Sequence, residues 1–187
     1  MNSFFFMSSI LIMSLIVSCT KNKDQLPIVK EITTDSTLKT ERGVTYNNDQ
    51  PFTGKAFTLN AQQDTAAIDF YLDGKLHGVS KFWYASGKRM QERLYQNGRK
   101  EGIHQGWWPN GKMKFQYEFK NDEYDGSVKE WYQSGILFKH FTYTSGQEEG
   151  AQKMWQLDGK IYANYIVKNN RIYGLSGRKL CKSVWKV

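Results

Sequence analysis

Six glycines fall on one 24-residue ruler, and no other feature of this 187-residue chain limits its fold as strongly: Gly54, Gly78, Gly102, Gly126, Gly150 and Gly174 share a mark without gap or slip. With 16 glycines in the chain, chance places six on one such lattice about once in a hundred thousand times. Other columns keep the same spacing. Trp83, Trp107, Trp131 and Trp155 stand five residues after their glycines and are followed by Tyr84, Trp108, Tyr132 and, breaking the column, Gln156. A second glycine column runs through Gly87, Gly111, Gly135 and Gly159. Tyr71, Tyr95, Phe119, Tyr143 and Val167 form the next column, and a turn column closes the unit with Asp73-Gly74, Asn97-Gly98, Asn121-Asp122, Ser145-Gly146 and Asn169-Asn170.

Two punctuation marks per unit leave two runs of roughly six to eight residues, and Gly and Asn-Gly are what hairpin turns require. Each unit is therefore expected to be a β-hairpin. Successive units follow without a helical segment, which predicts an all-β, elongated antiparallel meander of 24-residue hairpins. Five complete units supply ten strands, and the flanks add one at each end. At about 4.8 Å per strand, twelve strands make a ribbon roughly 58 Å long. In Val79–Tyr84 the adjacent aromatics Phe82, Trp83 and Tyr84 alternate between faces, and charged residues occupy both alternations. Neither face is cleanly apolar, so a largely single-layer sheet stabilised by aromatic ladders is expected.

Composition agrees. Aromatics reach 15% with only three prolines, a mixture that suits pleated strands and turns. The formal charge of +8 comes from 26 basic residues interspersed with 18 acidic ones and contains no long Lys/Arg run. It describes a solvated two-sided surface, with attraction to anionic lipid as the second possibility, and no nucleic-acid partner is expected.

Phe4 to Val17 is almost wholly apolar and ends in Leu15-Ile16-Val17-Ser18-Cys19. This resembles the bacterial lipobox, which implies that residues 1–18 are a lipoprotein signal peptide and that Cys19 carries the lipid. An uncleaved membrane anchor is the alternative. No Lys or Arg precedes the apolar run. Residues 19–42 are polar and read as a flexible tether, 43–176 as the repeat domain, and 177–187 as a basic cap or tail. A cell-envelope location follows, anchored by lipid; the lack of an acidic run after Cys19 resembles sorting to the outer membrane, facing the periplasm.

The stretches Gly78-Val-Ser-Lys-Phe-Trp-Tyr-Ala-Ser-Gly-Lys, Gly102-Ile-His-Gln-Gly-Trp-Trp-Pro-Asn-Gly-Lys and Gly126-Ser-Val-Lys-Glu-Trp-Tyr-Gln-Ser-Gly resemble the bacterial variant of the MORN repeat, of the kind found in YwqK-family antitoxins. Gln50-Pro-Phe-Thr-Gly-Lys55 looks like the phrase that opens such arrays. The resemblance implies the repeat fold and, for function, neutralisation of a toxin.

Catalysis needs convergent groups, and His77, His104 and His140 sit in different columns of different units. Cys181 lies among Arg178, Lys179 and Lys182 with no histidine near it in sequence. Asn121–Gly126 superficially suggests a calcium loop, but it occupies a turn column. No catalytic residue, metal site or cofactor is assigned. A protein partner is expected, either a toxin or an envelope protein; a structural scaffold or lipid- and surface-polymer-binding array is the alternative. The Trp83, Trp107, Trp131 and Trp155 column is expected to be structural. Tyr84, Trp108 and Tyr132 are the candidate binding residues, because adjacent positions face the other way and Trp and Tyr are common interface anchors.

Overall fold

The Asn-Gly-like pairs set two-residue turns. In the computed structural model, which describes residues 31–33 and 38–177, both members of each pair lie at positive φ, for example Asn97 at 51° and Gly98 at 84°. This is the type I′ arrangement, whose twist matches that of paired strands. The second glycine column closes the other turn. Gly87 N–H donates to the Tyr84 carbonyl and Tyr84 N–H to the Lys88 carbonyl, each at 2.9 Å, making a three-residue loop that ends on a left-handed glycine, Gly87 at φ 75°. Gly111, Gly135 and Gly159 repeat both bonds.

Between the turns lie β1 (Glu31–Thr33), β2 (Leu38–Glu41), β3 (Val44–Asn47), β4 (Gln50–Pro51), β5 (Gly54–Leu59), β6 (Thr65–Leu72), β7 (Lys75–Leu76), β8 (Gly78–Trp83) and β9 (Arg89–Gln96). They continue with β10 (Arg99–Lys100), β11 (Gly102–Trp107), β12 (Met113–Lys120), β13 (Glu123–Trp131), β14 (Leu137–Thr144), β15 (Gln147–Trp155), β16 (Ile161–Lys168) and β17 (Arg171–Leu175). One sheet runs β1-β5-β6-β8-β9-β11-β12-β13-β14-β15-β16-β17, with β7 and β10 as short extensions on β6 and β9. It is the expected meander, with no helix among the described residues. β17 opens a sixth unit. At the other edge β1 pairs parallel to β5, Glu31 opposite Lys55.

Two strands fall within the stretch read as a tether, which corrects its boundary: β1, and β2, which pairs with β3 and β4 in a small second sheet. A polar, Thr-rich composition suggested a linker, but Thr and Ile also favour strands. The small sheet caps the array, with Thr45 N–H donating to the Gly74 carbonyl and Gly74 N–H to the Phe52 carbonyl, each at 2.7 Å. The stretch expected to be a signal peptide at 1–18, Cys19, and residues from 178 onward with Cys181 lie outside the described residues.

The first glycine column marks a bulge between hairpins. Phe119 pairs with Tyr124 but Tyr117 with Val128, so β13 carries extra residues around Gly126 opposite Glu118. Gly126 has φ 115°, and a Cβ there would stand 2.2 Å from a Glu118 carboxylate oxygen. Only glycine suits that backbone and that contact.

Burial is one-sided. Partners in register share a face, which places Ala56, Ala67, Ser80, His104, Phe119, Val128, Phe141, Gln152, Ala163, Tyr165 and Val167, all buried, on the same side of the sheet. The other side carries Lys81, Glu92, Gln105, Lys129, His140 and Lys153 at its centre. The sheet curls toward the buried side: the rings of Phe141 on β14 and Tyr165 on β16 meet at 5.9 Å, although β15 lies between them and flat neighbours two strands apart would stand about 10 Å from each other. Gln152 on β15 is 0% exposed beneath them. A single layer thus makes a core by folding over itself, and apolar burial is concentrated on one face rather than divided between two.

Candidate functional site

Consecutive units are stitched along both ends of their strands. At the type I′ end, Gly98, Asp122 and Gly146 N–H groups donate to the Leu76, Lys100 and Tyr124 carbonyls. At the other end side chains do it. Tyr84 OH donates to the Trp107 carbonyl at 2.7 Å, Trp108 Nε1–H to the Trp131 carbonyl at 3.0 Å, and Tyr132 OH to the Trp155 carbonyl at 3.1 Å. The three candidate binding residues therefore form one row whose polar ends are engaged inside the fold. Only their ring faces remain to meet a partner. Their staple role was missed because the acceptor lies 23 residues away and is main chain.

Two of those rings border a cleft of about 300 Å3 whose aromatic walls are Trp108, Phe115, Tyr117, Trp131, Tyr132 and Phe138. Tyr84 is not among its lining residues. Phe115 stacks on Tyr117 at 4.7 Å, and Tyr132 meets Phe138 edge-on at 5.1 Å. The opening comes from a departure from the repeat. Four residues after each glycine the units carry Thr58, Phe82, Gly106, Glu130 and Met154; Gly106 has no side chain, and a Cβ there would come within 2.3 Å of the Phe115 ring. Phe115 therefore lies down over Gly106, and Glu130 supplies a carboxylate where the next unit has Met154.

Few charges enter this apolar space. Lys114 Nζ lies 4.6 Å from the Trp108 ring centroid, a cation–π contact. Glu130 pairs with Lys139 at 3.0 Å. Burial, and then the Glu130 carboxylate, hold the Tyr117 phenol well above its ordinary range, so it stays protonated at physiological pH. Farther along the same face burial, then Glu148, push Tyr143 up to about 12.

The histidines occupy three separate positions. His77 Nδ1 accepts from Asn97 N–H at 3.4 Å. Glu101 and Asp125 hold the same column and accept from Asn121 and Ser145 N–H, which makes the Asn121–Gly126 stretch part of a turn. His104 is buried and its Nε2 meets the Leu94 carbonyl at 2.7 Å. His140 lies 3.2 Å from the Ser127 hydroxyl on the polar side. Among the described residues no three His, Cys, Asp or Glu side chains converge in a way that would hold a metal ion.

The Trp column is half-buried and borders the turns. Strand pairing, bulges and turns all recur at the same 24-residue interval. Residues 76–97 and 100–121 match the MORN repeat variant. No curated protein matches the chain. The second matched stretch, 100–121, contains Trp108, Lys114, Phe115 and Tyr117 and so supplies one wall of the cleft; Glu130, Trp131, Tyr132 and Phe138 come from the following unit of the same pattern.

Proposed function

We propose that this MORN-variant repeat protein is a non-catalytic binding module, tethered to an envelope membrane by lipid on Cys19, that grips a protein partner at the cleft between Trp108 and Tyr132. The observation that carries this is the cleft's composition: six aromatic walls, one lysine and one glutamate pair, set in the middle of a rigidly stapled array. Desolvated aromatic pockets with few charges are where interfaces concentrate their affinity, and a volume of about 300 Å3 lies at the lower end of the range of small-ligand sites, suited to one or two inserted side chains. A toxin is the specific partner suggested by the resemblance to antitoxins, and an exported antitoxin would meet an exported or incoming toxin.

Lys114→Glu is the test variant, since Lys114 is exposed on the cleft rim and its reversal leaves the staples in place. Wild-type chain should recover a defined protein from solubilised envelope, and the variant should recover it at least about tenfold less well, equivalent to roughly 1.4 kcal/mol. Equal recovery by both, with the wild-type fold retained, would remove the cleft from the interface.

A further inference from the structure

Between the Trp column and the three-residue turns, two grooves repeat at the 24-residue interval. One, of about 310 Å3, is lined by Lys88, Arg89, Trp107 and Gly111. The other, of about 390 Å3, is lined by Lys112, Met113, Trp131, Ser134 and Gly135. Lys88 corresponds to Lys112, Trp107 to Trp131 and Gly111 to Gly135. Trp131 alone also borders the aromatic cleft.

The two grooves share an indole wall, a rim lysine and a turn glycine. A Cβ on Gly111 would meet nothing within 4 Å, whereas one on Gly135 would stand 3.1 Å from the Lys112 side chain, which lies across that turn. Each lysine is held at the rim by donating to a carbonyl of the next turn, Lys88 Nζ to Pro109 at 3.1 Å and Lys112 Nζ to Ser134. The Arg89 guanidinium lies 5.5 Å from the Trp107 ring centroid and pairs with Glu92 at 3.2 Å. No carboxylate lines either groove. Trp107 ends β11 and Trp131 ends β13, and the single strand β12 between them sets the grooves about 10 Å apart.

A ligand that fills both must be linear and repeating, with a flat face for each indole and a negative charge for each lysine. We infer that the paired grooves bind an acidic polysaccharide, its pyranose rings laid on Trp107 and Trp131 and its carboxylates directed to Lys88, Arg89 and Lys112. Single-stranded nucleic acid fits less well, because it needs a continuous basic track, and here the cations come in two separate clusters with Glu92 beside one. Strand addition by a peptide needs a free sheet edge, whereas β11 and β13 are interior strands.

The probe is a short oligogalacturonate titrated into the full chain in detergent, followed by tryptophan fluorescence. Saturable binding is expected, weakening as salt is raised. The double variant Lys88→Gln/Lys112→Gln, which keeps a donor at each turn carbonyl, should lose affinity by about tenfold or more, and Arg89→Gln, which touches no turn carbonyl, should move the same way if the double variant unfolds. Lys114→Glu, which lines the neighbouring cleft and neither groove, should bind the oligosaccharide within about twofold of wild type. Wild-type affinity in both groove variants, equal binding of a neutral dextran, or tighter binding of oligothymidylate would each overturn the assignment without touching the protein-binding proposal.

Discussion

Gln152 is 0% exposed, an unusual place for an amide, and its neighbours explain it. The β14–β15 register shifts between Phe141 and Tyr143, leaving Thr142 without a partner in β15; the Gln152 side chain accepts from Thr142 N–H at 3.1 Å and donates to the Thr142 carbonyl at 2.8 Å. Gln152→Leu should therefore cost about 2–3 kcal/mol in denaturant melts, because two bulge groups lose their partner. His104 does a related job two units earlier at the Leu94 carbonyl. Burial, then Arg93 and Lys100 among its causes, lower its pKa below the ordinary 6.5, so the unfolded chain takes up a proton at higher pH than the folded one. The stability that neutral His104 contributes is complete above about pH 6.5 and is lost as pH falls below it. Chemical melts across pH 7.5 to 5 should show wild type losing stability more steeply than His104→Gln as pH falls below about 6.5; parallel curves would count against this. The buried column Ala56, Ser80, His104, Val128, Gln152 was not legible as a core, since its members differ in chemistry and share only a position, whereas the glycines repeat as letters.

At the scale of the hairpin, the turns were legible because positive φ restricts the residues that fit: the Asn-Gly-like pairs and the second glycine column correspond to observed loops, while the first unit turns on Gln63 at φ 65° and the first glycine column marks bulges. The aromatic columns were legible as positions but not as roles. Trp107 and Trp108 were expected to divide into structure and binding, yet Trp108 staples its unit to the Trp131 carbonyl. Trp107→Ala and Trp108→Ala should each cost about 3 kcal/mol, through lost packing in both and a lost hydrogen bond in the second. Tyr132→Phe should cost about 1 kcal/mol, the hydroxyl's bond alone. Gly106→Ala should destabilise by about 1–3 kcal/mol by overpacking against Phe115, and should weaken partner capture as the cleft wall shifts. Loss of binding in Gly106→Ala with no change in stability would show that the Phe115 ring adjusts freely.

Over the whole molecule the meander and the strand count followed from period alone: ten strands in five units, extended by β17 and β1. The one-sided core did not, because in each strand polar and apolar residues alternate imperfectly and curling, rather than a second layer, does the burying. The cleft was invisible for a different reason: it exists where Gly106 and Glu130 depart from the pattern, and period-finding discards departures. An open sheet predicts a small-angle scattering radius of gyration above the roughly 16 Å that compact scaling gives for a chain of this length, and a value at or below it would mean a closed domain. Whether the Trp108–Tyr132 cleft is the surface that meets a protein is tested most directly by placing a photo-crosslinking residue in living cells at Gln133 on the cleft, and separately at Lys153 on the exposed polar side. A discrete protein adduct at Gln133 that is absent at Lys153 is the predicted result; adducts only at Lys153, or none at Gln133 with the protein folded and exported, would contradict it.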